Sequence, residues 1–169
     1  MTEIDATADL GLQIDQDSMA GMYLTFELAE EGYGLEIRHV TEIIGIQPVI
    51  RVPDMPAHVI GVLNLRGKVI PVIDVRLRFH LPSRDYDERT CIIVVNVNDN
   101  SVGLVVDKVS EVVDIPQAEI EPSPATGRNS NQYIQGLGKL DQKVKILLDI
   151  EMLIEDEDIN IADVETETV

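Results

Sequence analysis

The sequence predicts an all-β protein made of two small barrels of similar topology packed on a shared apolar seam. Three observations predict it. First, 44% of the 169 residues are hydrophobic, yet there is no Trp and only two Phe, so the chain can bury a core and that core must be aliphatic. A core of Val, Ile and Leu favours strands over helices. Second, apolar runs of strand length are bounded by Gly, Pro, Asn and Asp. Third, the same order of elements occurs twice along the chain.

The first series of strands starts at Met22. Met22–Leu28 and Tyr33–Ile37 read as a hairpin around Glu30-Glu31-Gly32. Ile37, Val40 and Ile43/Ile44 recur at spacings of three and four, which predicts a short helical turn with one apolar face. Pro48, Pro53 and Pro56 force the next segment into extended or turn geometry. Val59–Leu65 and Lys68–Asp74 form a second hairpin turning at Arg66-Gly67, with Pro71 implying an edge or a bulge. Asp74 is a suitable N-cap for a short helix carrying Val75, Leu77 and Phe79. Residues 82–89 read as a linker or long loop.

The second series starts at Thr90. Cys91–Val95 is a continuous apolar run, as in a buried strand, and returns through Asn98–Ser101 into Val102–Val106. Residues 122–132 form an exposed loop. Tyr133–Leu137 and Val144–Leu148 pair around Asp141-Gln142, and Asp149 caps a helix ending near Ile154.

The two series match each other. Tyr33-Gly34-Leu35-Glu36-Ile37 through Ile44 corresponds to Val102-Gly103-Leu104-Val105-Val106 through Val113, an offset of 69. Val59-Ile60-Gly61-Val62-Leu63 corresponds to Tyr133-Ile134-Gln135-Gly136-Leu137, and Val72-Ile73-Asp74-Val75 to Leu147-Leu148-Asp149-Ile150, an offset of 75. Chance similarity between β-rich segments would not preserve element order, glycine positions and capping aspartates together. Five short strands alone are marginal. Packed together, two such units bury an apolar seam, and a seam between barrels is a natural groove for a partner helix.

Charge narrows the classes of partner. The net charge is −18, but residues 1–18 hold five acids and residues 155–169 hold seven, with no base in either. Removing those twelve leaves 19 acids against 13 bases, a net of −6 over residues 19–154. The expectation is a mildly acidic domain over 19–154, its first barrel mainly 22–80 and its second mainly 90–150 with the strand exchange open. The tails that flank it are acidic, a composition expected to stay disordered. No basic stripe is present to neutralise phosphates, so nucleic acid is excluded as the expected partner. The single Cys91 allows no intrachain disulfide. The N-terminus lacks signal-peptide character, and no apolar run is long enough for a membrane span.

The string Ile60-Gly61-Val62-Leu63-Asn64-Leu65-Arg66-Gly67-Lys68-Val69-Ile70-Pro71-Val72-Ile73-Asp74 resembles the signature of CheW and CheW-like domains. The run Tyr33–Ile37 followed by Val40-Thr41-Glu42-Ile43, the segment Val102–Val109 and Gly136-Leu137-Gly138 are similar to the same family. The resemblance runs from about Met22 to about Ile154. It implies two SH3-like five-stranded barrels and a non-catalytic adaptor that couples transmembrane chemoreceptors to a CheA-type histidine kinase in chemotaxis. The implied partners are the coiled-coil hairpin at the chemoreceptor's cytoplasmic tip and the kinase's regulatory domain, with self-association in rings. The implied location is the cytoplasm, recruited to membrane receptor arrays without insertion. The expectation is an adaptor without the kinase, phosphotransfer or receiver domain of the larger relatives.

By the same resemblance, the receptor-binding groove lines up with Leu24, Ile37, Val40, Ile43 and Val109. Ile37, Val40 and Ile43 share one face, and Val109 stands in the second repeat where Val40 stands in the first. Each could also be an ordinary core residue; as a group, a partly exposed aliphatic patch marks a partner surface. Arg66 is the expected interface charge, against the plainer reading of a solvated turn, and the resemblance makes Glu42 its companion, either as a salt bridge or as a receptor contact. Gly61 and Gly67 are expected to serve tight turn geometry.

Other chemistries find little support. His39, His58 and His80 have no zinc spacing, and no metal or cofactor is expected. Cys91 opens an apolar strand as a small hydrophobe. The segment from Asn96 to Asp107 lacks the Gly and Glu of a calcium loop, and Gly136-Leu137-Gly138 lacks the third Gly and following helix of a dinucleotide site. The competing hypotheses are a ligand-binding barrel or enzyme using an inter-barrel pocket, and a CheW-like scaffold of a non-flagellar chemosensory system.

Overall fold

The structure is a computed structural model and describes residues 19–122 and 133–154. The expected tails at 1–18 and 155–169, and nearly all of the expected loop at 122–132, lie outside the described residues. Among the described residues eleven strands run in order: β1 (Met22–Leu28), β2 (Glu31–Glu36), β3 (Val40–Gly45), β4 (Val59–Leu65), β5 (Lys68–Asp74), β6 (Cys91–Val97), β7 (Asn100–Val106), β8 (Lys108–Asp114), β9 (Ile120–Glu121), β10 (Ile134–Leu140) and β11 (Lys143–Leu148). They form two sheets, β8-β1-β2-β11-β10-β9 and β3-β6-β7-β5-β4.

The repeat is realised as a reciprocal exchange of strands. The first sheet combines β1 and β2 of the first repeat with strands β8–β11 of the second. The second sheet combines β6 and β7 with β3–β5. Each sheet therefore draws on both halves, rather than on 22–80 or 90–150 alone. The registers match across the repeat. Leu147 pairs with Gly34 in parallel, and Val72 pairs with Gly103 in parallel. Val40 pairs with Val95, and Val109 pairs with Phe26. The physical reason is topological: strands in one sheet join in parallel only through a long crossover, which each barrel obtains from the other repeat.

Burial separates into three clusters that explain the sequence patterns. In β6, Ile92 and Val94 fill one barrel interior with Leu63, Ile70, Val72 and Val105. Ile93, Val95 and Val97, on the opposite face, join the seam with Leu24, Phe26, Leu28, Leu35, Leu104 and Leu148. Both faces of β6 are thus covered, which is why Cys91–Val95 is apolar without alternation. The other interior is smaller, with Tyr23, Ile115 and Leu147. Most of the core is seam, so neither barrel is a self-sufficient body. Four of the six aromatic rings stack in a row along this region: Phe26, Tyr33, Phe79 and Tyr133, with centroids 5.8, 6.0 and 6.1 Å apart. The Arg78 guanidinium lies 4.5 Å over the last ring and hydrogen-bonds its hydroxyl.

Local chemistry sets the ends. The four hairpins turn on Ala29-Glu30, Arg66-Gly67, Asn98-Asp99 and Asp141-Gln142. Both residues of each turn have positive φ, the tight hairpin geometry that follows strand twist. Asp74 Oδ1 accepts the Arg76 N–H at 3.0 Å and caps the one-turn helix Val75–Arg78. Its repeat mate Asp149 accepts the Met152 N–H at 3.1 Å at the helix Ile150–Ile154.

Three expectations are corrected. The predicted helical turn over 37–44 is only a 3-10 turn at Ile37–His39, followed by β3. Of the edge or bulge expected at Pro71, the edge is overturned, since β5 lies between β4 and β7, and the β4–β5 register shift falls one residue on, opposite Val72 and Ile73. The parallel ladder to β7 starts at Val72, one residue later, so the missing N–H interrupts nothing. Gly61 is not in a turn but in β4 beside a register shift. At φ +150°, a Cβ there would stand 2.3 Å from the Ile50 carbonyl oxygen, so only Gly admits that close bridge.

Candidate functional site

The spacing of three between Val40 and Ile43 comes from a β-bulge. Val40 pairs with Val95 and Glu42 with Val94, so Thr41 is an extra residue. That insertion turns Val40 and Ile43 to the same side, where a regular strand would put them on opposite faces. Thr41 Oγ1 donates to the Val94 carbonyl at 3.0 Å and stitches the bulge. The second repeat does the same between Val109 and Val112, which pair with Phe26 and Leu24. There the buried Thr25 Oγ1 donates to the Glu111 carbonyl at 2.7 Å and accepts the Glu111 N–H at 3.1 Å.

The bulges therefore present two matching pairs of aliphatic side chains. Ile37, Val40, Ile43, Val109 and Val112 are all half-buried and pack on the seam core. Val112 was absent from the expected set, although the 69-residue offset from Ile43 points straight to it. Leu24 differs from the others: it is 1% exposed and lies within the seam itself. It cannot be a contact surface; it is the floor beneath the half-buried residues, because β1 runs between β8 and β2.

Glu42 and Arg66 come together as expected of companions. Arg66 donates to Glu42 through Nη1 and Nη2, both at 2.6 Å. The hydrogen bonds from Arg66 hold the Glu42 carboxyl below its ordinary pKa. Glu42 is on β3 and Arg66 is at the β4–β5 turn, so the pair joins opposite ends of the strand order and helps close the barrel. The Arg66 side chain remains 71% exposed. Gly67, at φ +85°, borders open space: a Cβ at this position would meet no atom within 4 Å. It serves the turn alone, with its N–H bonded to Asn64 Oδ1 at 2.9 Å.

Sequence reasoning missed the most buried charge pair among the described residues, Arg76 with Asp107. Arg76 and Asp107, each 11% exposed, form a two-pronged ion pair: Nε to Oδ1 at 2.8 Å and Nη2 to Oδ2 at 2.8 Å. Burial pushes the Asp107 pKa up, but Arg76 and the Ala29 N–H outweigh it and hold the carboxyl below its ordinary value. The hint in the sequence was a charge next to the apolar end of β7, where a turn residue would otherwise do.

An open depression of about 800 Å³ is lined by Arg51, Pro53, Met55, Leu77, Arg84 and Tyr86, among others. The Tyr86 hydroxyl donates to the buried Asp74 Oδ2 at 2.7 Å and pins the linker over it. Among the described residues, no group of three or more His, Cys, Asp or Glu is placed to hold a metal ion.

The CheW-like domain family model matches residues 22–158. The chain is 39% identical to chemotaxis protein CheW of Klebsiella aerogenes over 142 residues, covering 83% of this chain and 86% of that protein. It is 31% identical to chemotaxis protein CheW of Helicobacter pylori, covering 87% and 89%. Among solved structures, the scaffolding protein TtCheW from Thermoanaerobacter tengcongensis superposes with a TM-score of 0.75 at 36% identity, covering 80% of this chain and 92% of that one.

Proposed function

The chain belongs to the CheW family, and from that membership we propose how it couples its partners: the half-buried aliphatic face on the seam receives the tip of the chemoreceptor coiled coil. The family is one of chemotaxis coupling scaffolds, non-catalytic, placed between receptor and CheA-type kinase. The observation that supports the groove is the pair of bulges that bring Val40, Ile43, Val109 and Val112, all half-buried, onto one seam core in which Leu24 is fully buried. Aliphatic side chains presented at such steps suit an amphipathic helix, whose apolar residues recur at three and four.

The exposed Arg66, held by Glu42, provides a charged rim where a partner's polar residues meet the groove. The kinase regulatory domain is assigned to the ends of the barrels, leaving the groove open for the receptor. Self-association in rings follows from pseudo-symmetric surfaces of the two barrels. No described helix is long and apolar enough to cross a membrane. The proposed route to the array is therefore recruitment by partners.

The test is binding of a soluble receptor-tip hairpin to wild type and to Val40→Glu, with circular dichroism to show that the variant folds. Wild-type binding lost in a folded Val40→Glu supports the groove. Equal binding by both proteins removes the receptor from this face.

A further inference from the structure

Asp107 is the single residue between β7, which ends at Val106 in one sheet, and β8, which begins at Lys108 in the other. The chain changes barrel at this point. The polar groups of Asp107 tie the crossover to several other elements. Its N–H donates to the Glu27 carbonyl near the end of β1 at 3.2 Å, and Oδ2 accepts the Ala29 N–H of the β1–β2 turn at 3.0 Å. Arg76, on the helix after β5, grips both carboxylate oxygens, and Arg84 of the linker reaches Oδ2 at 3.3 Å. Arg76 Nη1 also donates to the Pro82 carbonyl at 2.6 Å. One carboxylate thus joins the first sheet, the second sheet and the linker, and Val109 follows two residues later.

The other crossover is built differently. The repeat mates of Asp107 and Arg76 are Arg38 and Glu151, with the charges interchanged. Arg38 bonds the neighbouring Glu36 at 3.3 Å on the surface instead. The β2–β3 crossover is carried by the Ile37–His39 turn. A buried, two-pronged charge pair therefore clamps the β8 side of the groove, and an exposed pair, Glu42–Arg66, holds the β3 side. Surface pairs hold geometry weakly, whereas a buried fork fixes it in one orientation.

We propose that Asp107 and Arg76 are positioning residues for the receptor groove: their clamp fixes the crossover angle and so sets Val109 and Val112 opposite Val40 and Ile43. The inference rests on the groove reading above. A clamp that acted only on overall stability would weaken every interaction together. A positioning clamp weakens the receptor and spares the kinase.

The test uses the full chain as wild type, Asp107→Asn, which keeps the shape and loses the charge, and Arg76→Lys, which keeps the charge and loses the fork. Three quantities are measured on each: amide hydrogen exchange across Val109–Val112, affinity for a receptor-tip hairpin, and affinity for the kinase regulatory domain. The expected result in a folded variant is faster exchange in β8, tip affinity down by about two- to thirty-fold, and unchanged kinase affinity. Unchanged tip affinity, or tip and kinase affinities falling together, overturns the proposal. If one variant does not fold, the other decides. If wild type binds kinase but not the tip, the groove reading is what fails; the clamp is then judged by exchange alone, and unchanged β8 protection in both variants overturns it.

Discussion

Replacing Leu24 with Ala should weaken the whole molecule while leaving the partner surface in place. Leu24 is 1% exposed, pairs with Leu35 on one side and Val112 on the other, and sits in the cluster that joins the two sheets. Truncation removes three carbons, worth about 2.4 kcal/mol at about 0.8 kcal/mol each. The seam is contributed by strands of both sheets and cannot collapse fully, so residual cavity brings the loss to about 3 kcal/mol. For a protein of this size that lowers Tm by about 6–12 °C. Val40→Ala, at a half-buried position, should cost under about 1 kcal/mol. The assay is urea and thermal unfolding followed by circular dichroism on both variants. Because the seam is the larger part of the core, Leu24→Ala should unfold in one transition with the wild-type slope. A loss below about 1 kcal/mol, or two separate transitions, would refute the view that the barrels are one cooperative body.

Gly61→Ala should cost about 3 kcal/mol or more, since it combines a φ that side chains avoid with a clash against the Ile50 carbonyl. Gly67→Ala, free of clash, should cost about 1 kcal/mol, and denaturant midpoints order the two. Arg66→Ala should return the Glu42 carboxyl towards its ordinary pKa of 4.5, read by carboxyl NMR. In wild type, the contribution of this depressed group is present above that value and lost as pH falls through the folded one. An unmoved Glu42 titration would contradict the pairing. Burial, with the hydrogen bond to Asp74, raises the Tyr86 hydroxyl above 10.0. Its contribution to stability is full below 10.0 and lost as pH climbs through the raised value. Alkaline absorbance titration should show a late tyrosine step that disappears in Tyr86→Phe; no change in the curve would refute the bond.

Much of this fold could be read along the chain because local signals and global arrangement agree. The hairpins around Arg66-Gly67 and Asp141-Gln142, the caps at Asp74 and Asp149, and the apolar run from Cys91 all follow from short-range chemistry. What could not be read depended on distant partners. The strand exchange has no local signal, because β3 looks the same whether it pairs with β2 or β6. A bulge at Thr41 imitates helical spacing, so Ile37, Val40 and Ile43 suggested one helical face where the chain has a short turn and a strand with an extra residue. Leu24 belonged to the same face but beneath it, a distinction that only depth reveals. Asp107 and Arg76 lie 31 residues apart, and the charge that follows β7 does not identify its partner.

Whether this chain joins receptor to kinase through the seam groove is tested most directly by co-sedimentation with receptor-containing membranes and kinase, comparing wild type with Val40→Glu and Arg66→Ala. Wild type should carry kinase into the pellet, Val40→Glu should stay in the supernatant while folded, and Arg66→Ala should sediment less. Wild type that binds neither partner, or Val40→Glu that sediments as wild type does, would contradict the groove as the coupling surface.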